Sequence, residues 1–214
     1  MPRRGALLAD LVGKPISWVV FVAVAFGWPV ARAIRREAPP PLPVLGQLAA
    51  FTLRDQHGEP FGSRQLQGKV WVADFVFTRC PTICPALTAT MGKIQHRSRN
   101  LADAFHLVTF SVDPDHDTPS KLAELASRHR VGRRWTFLTG SFADVQRTVV
   151  SGLKIGMGRD EAGAIDRSDF ASVFHGTHLV LVDRRLRIRG YYGSTEPSAV
   201  DRLMSDVGLV VNER

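Results

Sequence analysis

The feature that most constrains this fold is an apolar run, Val70, Trp71, Val72, Ala73, Asp74, Phe75, Val76 and Phe77, leading directly into the chain's only two cysteines, Cys80 and Cys84. A nearly continuous apolar stretch of this length fits a strand buried on both faces. Pro85 suits the first position of a following helix, with Cys84 as its N-cap. The pair therefore sits where a central strand turns into a helix. Two thiols placed there can close a disulfide, exchange electrons or hold a soft metal ion.

The rest of the chain supplies the partners of that strand. Residues 51–61 read as a hairpin with His57 and Gly58 at its turn. Residues 105–112 form the next strand, and Thr118 with Pro119 opens a helix carrying Leu122, Leu125 and Ala126. A short strand at 135–139 precedes a helix capped by Ser141, with Asp144 three positions on. Residues 156–172 are polar and irregular. Strands at 178–183 and 186–192 make a last hairpin, followed by a helix over 197–207. This order is that of an α/β thioredoxin-like fold with an added N-terminal β-hairpin. The right-handed crossover rule pairs the first two core strands in parallel.

The N-terminal part is different in kind. Residues 15–31 contain no charge, and Trp18 and Trp28 lie near the ends of that run. Seventeen uncharged residues are at the short end for a membrane-spanning helix, and tryptophans mark membrane interfaces. Ala31, Arg32 and Ala33 also fit a signal-peptide cleavage pattern. Residues 1–36 are thus expected to be a membrane anchor, a single N-terminal transmembrane helix, or a cleaved signal. Residues 37–47 are expected to be a proline-rich linker, and 48–214 the globular domain. Either N-terminal reading carries the domain across a membrane, where paired thiols are at home. The formal charge of +8 does not indicate nucleic-acid binding. About half of the excess is N-terminal, and the cluster Arg184, Arg185, Arg187 and Arg189 reads as a turn and strand with solvated arginines.

The positive end of a helix dipole is expected to lower both thiol pKa values and favour thiolates, which suit Cu(I). An imidazole would complete the site. Of the seven histidines, His116 follows a strand ending on the same rim as the cysteines. His175 is the better candidate, lying just before the strand at 178. Thioredoxin-like folds usually place a cis-proline there against their cysteines, and this chain has none between Ser172 and His178. His178 belongs to the strand itself.

Three segments together resemble the Sco/SenC family of copper-binding proteins. They are residues 77–85 with the cysteine motif, residues 111–119 from Ser111 through Asp113, Pro114 and Asp117 to Pro119, and residues 137–140. A histidine eight residues before Asp183 adds to them. The resemblance covers roughly residues 48–208. It implies a thioredoxin-like domain on an inner membrane, facing the periplasm or its mitochondrial equivalent. It implies copper, as Cu(I) or Cu(II), held by Cys80, Cys84 and His175. Asp113 matches an acidic position of the family near the site. The implied role is a metallochaperone taking copper from a donor protein to the copper-bearing subunit of cytochrome c oxidase. The alternative is a thiol-disulfide oxidoreductase that uses Cys80 and Cys84 as a redox pair to reduce cysteines of a copper-accepting partner.

Overall fold

The computed structural model describes residues 15–34, 40–80, 83–157 and 178–213. The chain divides into two compact units, Met1–Pro40 and Pro41–Arg214. The first contains helix α1 (Pro15–Ile34), whose apolar side chains, Val19, Phe21 and Phe26 among them, are exposed. Among the described residues no helix is long and apolar enough to cross a membrane. The expected transmembrane span is therefore corrected to an apolar helix. The uncharged run stops at Arg32 in the helix's last turn, so only residues 15–31 of it, at the short end for a span, are free of charge.

The second unit is built on one mixed sheet of eight strands: β1 (Gly46–Gln47), β2 (Thr52–Asp55), β3 (Pro60–Gly62), β4 (Val70–Val76), β5 (Phe105–Ser111), β6 (Trp135–Thr139), β7 (His178–Val182) and β8 (Arg187–Gly193). Their order across the sheet is β1-β8-β7-β4-β5-β6-β2-β3. Strands β4, β5 and β6 are parallel, and the other pairings are antiparallel. Both β4 and β5 are buried along their whole length, which accounts for their mostly apolar sequences. The expected hairpin is β2–β3, turned at Gly58 with φ +85°, and it joins the sheet through β6.

Helices lie on both faces: α2 (Ser63–Leu66), α3 (Ile83–Arg97), α4 (Pro119–Arg128), α5 (Phe142–Gln146), continued by a π-helical turn (Arg147–Gly152), and α6 (Pro197–Asn212). Alternation along the strands separates two cores. Val72, Val76, Leu107, Phe137, Leu179 and Leu181 face Leu87, Met91 and Ile94 of α3, together with α6. Trp71, Phe75, Val108, Phe110, Val180 and Val182 face the other way, toward Val145, Val149 and Leu153. Thr118 caps α4 and Ser141 caps α5, as the sequence predicts.

Two sequence expectations change. The proline-rich segment was expected to run as a linker to residue 47, but the chain joins the sheet earlier. The Leu45 N–H donates to the Ile188 carbonyl at 2.8 Å, and Gly46 and Gln47 pair with Ile188 and Arg187. The cause is Arg189, expected to be solvated but only 3% exposed. Its guanidinium donates to Asp183, to both carboxyl oxygens of Glu213, and to the Leu42 and Pro43 carbonyls. A buried cation needs such a full shell of acceptors, and two of them come from the supposed linker.

Candidate metal centre

Strands β4 and β5 end at the same rim of the sheet, where Val76 pairs with Ser111. The cysteine loop leaves β4 there, and the acidic turn from Asp113 to Asp117 leaves β5. Beyond Phe77 the chain tightens at once: the Cys80 N–H donates to the Phe77 carbonyl at 3.1 Å. Helix α3 begins at Ile83, two residues earlier than expected, so Cys84 lies inside the first turn. Pro85 falls at the third helical position, where a missing N–H is still harmless because the first-turn N–H groups have no intrahelical acceptor.

Cys80 and Cys84 are not joined in a disulfide, are each 7% exposed, and lie in one cluster with Leu87 and Val76. The Cys84 N–H donates to Cys80 Sγ at 3.4 Å. The sulfur of Cys80 thus serves as acceptor for an open N–H at the helix start. The helix dipole does not govern Cys84. Burial pushes its thiol well above the usual range, against a lowering contact from the Phe77 backbone, and the nearby Cys80 and Asp74 push it further up. The expectation of two lowered thiol pKa values is corrected for Cys84, because desolvation outweighs the dipole in a site this dry.

Asp74 shares this side of the sheet. It alternates with Val72 and Val76, is fully buried, and accepts from Thr109 Oγ1 at 2.5 Å through Oδ1. Trp135 Nε1 donates to the same Thr109 hydroxyl at 2.8 Å. Oδ2 of Asp74 has no partner among the described residues, and burial raises its pKa from 3.8 to about 7.

The acidic turn fastens the cysteine loop. Arg79 donates through Nη2 to Asp113 Oδ2 at 2.5 Å and through Nε at 3.1 Å. Asp113, read from sequence as a turn residue or a site neighbour, therefore pairs with the residue just before Cys80. Thr78 is bonded to Asp117 through both its N–H and its hydroxyl. Sequence reasoning missed Asp74, Thr78, Arg79 and Asp117. Asp74 carried the one available signal, a lone acid inside an apolar strand.

The histidines separate. His116 Nε2 takes the Lys121 ammonium at 3.1 Å, so that ring nitrogen is already engaged. His178 starts β7, and strand alternation puts it on the side of Val180 and Val182, away from the cysteine cluster. His175 lies outside the described residues. Among the described residues no three His, Cys, Asp or Glu side chains gather as a metal-ligand group. The two cysteines alone leave a soft ion short of a donor.

The SCO1/SenC family model matches residues 46–208. A SCO1 protein homolog from Bacillus subtilis is 30% identical over 167 residues, covering 77% of this chain and 83% of that protein. The solved structure of BsSco, a member of the Sco family of cytochrome c oxidase assembly proteins in which a disulfide switch was identified, has a TM-score of 0.68. It is 28% identical and covers 82% of this chain and 100% of its own. ScoI of Bradyrhizobium japonicum, solved with copper bound, shares the fold with a TM-score of 0.58 at 22% identity, covering 74% of this chain and 98% of its own.

Proposed function

The chain belongs to the SCO1/SenC family, and from that premise we propose that it is a copper metallochaperone for the binuclear copper centre of cytochrome c oxidase. Proteins of this family handle copper and serve cytochrome c oxidase assembly. The observation that carries the proposal is the pair of buried cysteines, not joined in a disulfide, at the start of α3, with the Cys84 N–H turned to Cys80 Sγ. Copper is the cargo. Cys80 and Cys84 supply two sulfur donors, and their protons leave as the metal binds. His175 supplies the third donor. It stands three residues before His178, whose strand pairs with β4, so at most about 10 Å of chain separates the two positions. The raised Cys84 thiol supports cargo binding over thiol attack, since a buried protonated thiol is a poor nucleophile until a cation compensates its charge.

The domain works on the extracytoplasmic side, between a copper donor and the copper-bearing oxidase subunit. Added protease should degrade the domain in spheroplasts while a cytoplasmic marker survives; a protected domain would reverse this topology. The function is tested by loading the reduced chain with copper under anaerobic conditions and counting metal and free thiols. One copper per chain is expected, with none retained after replacing both cysteines by serine. His175→Ala should weaken Cu(II) binding at least tenfold, about 1.4 kcal/mol. Full copper binding by the double Cys→Ser variant would overturn the proposal. Oxidase assembly that survives loss of His175 but not of the cysteines would favour the thiol-disulfide oxidoreductase instead.

A further inference from the structure

Asp117 is completely buried, and its carboxyl group reaches the loop that carries Cys80 rather than its own helix. Oδ1 accepts from the Thr78 hydroxyl at 2.5 Å, and the Thr78 N–H donates to Oδ1 and Oδ2 at 3.2 and 3.1 Å. Oδ2 also accepts from Ser111 Oγ at 2.6 Å, and Ser111 closes β5. The Ser111 hydroxyl oxygen in turn accepts the Asp113 N–H at 3.1 Å. One carboxyl group thus ties the end of β5 to a residue two positions before a cysteine, across 39 positions of sequence.

The two cysteines depend on different supports. Cys84 is carried by α3, whose Leu87, Met91 and Ile94 are packed in the core. Cys80 lies before that helix, in the tight turn where its N–H donates to the Phe77 carbonyl, two residues past Thr78, so the placement of Thr78 bears on it. We propose that Asp117 is a positioning residue for the copper site: by holding Thr78 it sets where the Cys80 sulfur stands relative to the start of α3. This rests on the copper reading above. Partners that orient metal ligands commonly change affinity by 10–100-fold when removed.

The test is Asp117→Asn in the full chain. The amide has one acceptor oxygen where the carboxyl group offered two, so it cannot accept from both Thr78 and Ser111, and the tie between them weakens while the side chain keeps its size. The expected result is a folded protein that still takes one copper, with Kd weaker by about tenfold and a shifted thiolate-to-Cu(II) charge-transfer absorption. Without copper, the equilibrium in which glutathione disulfide oxidises the two thiols to a Cys80–Cys84 disulfide, releasing two glutathione thiols, should also shift. Both protons and both electrons pass to glutathione in that exchange. Wild-type affinity, absorption and glutathione equilibrium in a variant that merely melts earlier would make Asp117 structural only and overturn the proposal. If wild type takes no copper, the copper reading falls, and the glutathione equilibrium alone still decides whether Asp117 positions Cys80. Should Asp117→Asn not fold, Thr78→Val, which keeps the backbone contact, is judged by the same readouts.

Discussion

The two rims of the sheet bury titratable groups of opposite kinds and shift each toward its uncharged form. At the rim where β4 and β5 end, burial raises Asp74 to about 7 and pushes Cys84 higher still. At the rim where they begin, His106 is 6% exposed and bonded to Thr136 Oγ1 at 2.9 Å. Burial first, and then Lys69 and Arg134, lower its pKa from 6.5 to about 4. Arg134 is held there by the carbonyls of Ser98, Arg99 and Ala102. A dry core penalises charge of either sign, so the acid is raised and the base lowered. The surroundings differ in purpose, however. His106 has its hydrogen bond and a stacked Phe61, whereas Asp74 keeps an oxygen without a partner among the described residues. The cysteine rim holds the less settled polar group.

The contrast can be broken by removing one group at a time and measuring stability by denaturant unfolding at pH 4 and pH 8. Asp74 binds its proton more tightly in the folded chain, so it stabilises at low pH and that stability is lost as pH rises through 7. Asp74→Asn should gain about 4 kcal/mol at pH 8 relative to its effect at pH 4, at roughly 1.4 kcal/mol per pH unit between 3.8 and 7. His106 binds its proton more weakly in the folded chain, so its contribution is present above 6.5 and lost as pH falls toward 4. His106→Gln should gain about 3 kcal/mol at pH 4 relative to pH 8, at the same rate per pH unit. In wild type the two slopes oppose each other between pH 4 and 8. Each variant should therefore tilt the stability curve in its own direction, and parallel curves would abolish the distinction between the rims. The smallest effect sharpens it at the cysteine rim. His178→Ala should leave the copper Kd within about threefold, below 0.7 kcal/mol, because its side of the strand faces away from the sulfurs. A tenfold loss would place His178 in the site.

The two central strands were legible because burial on both faces leaves a mostly apolar run, and the turns because Gly58, Thr118 and Ser141 each have a local conformational reason to be there. The cysteine pair and its place at a strand-to-helix turn were equally plain. Strand β1 was not, since two residues at a sheet edge carry no periodicity. The transmembrane reading followed an uncharged run, but no helix among the described residues is long and apolar enough to cross a membrane.

By itself, then, the sequence determined what repeats locally or is chemically singular: the buried strands, the helix caps and two cysteines four apart. The tertiary structure decided what depends on residues far apart in the chain. Arg189 draws residues 42 and 43 into the fold because a buried guanidinium must find acceptors wherever they lie. Cys84 is raised rather than lowered because dehydration by the assembled core outweighs a dipole readable from one helix. Asp117 holds Thr78 because parallel pairing brings the ends of β4 and β5 side by side, a proximity that a separation of 39 positions in the chain conceals.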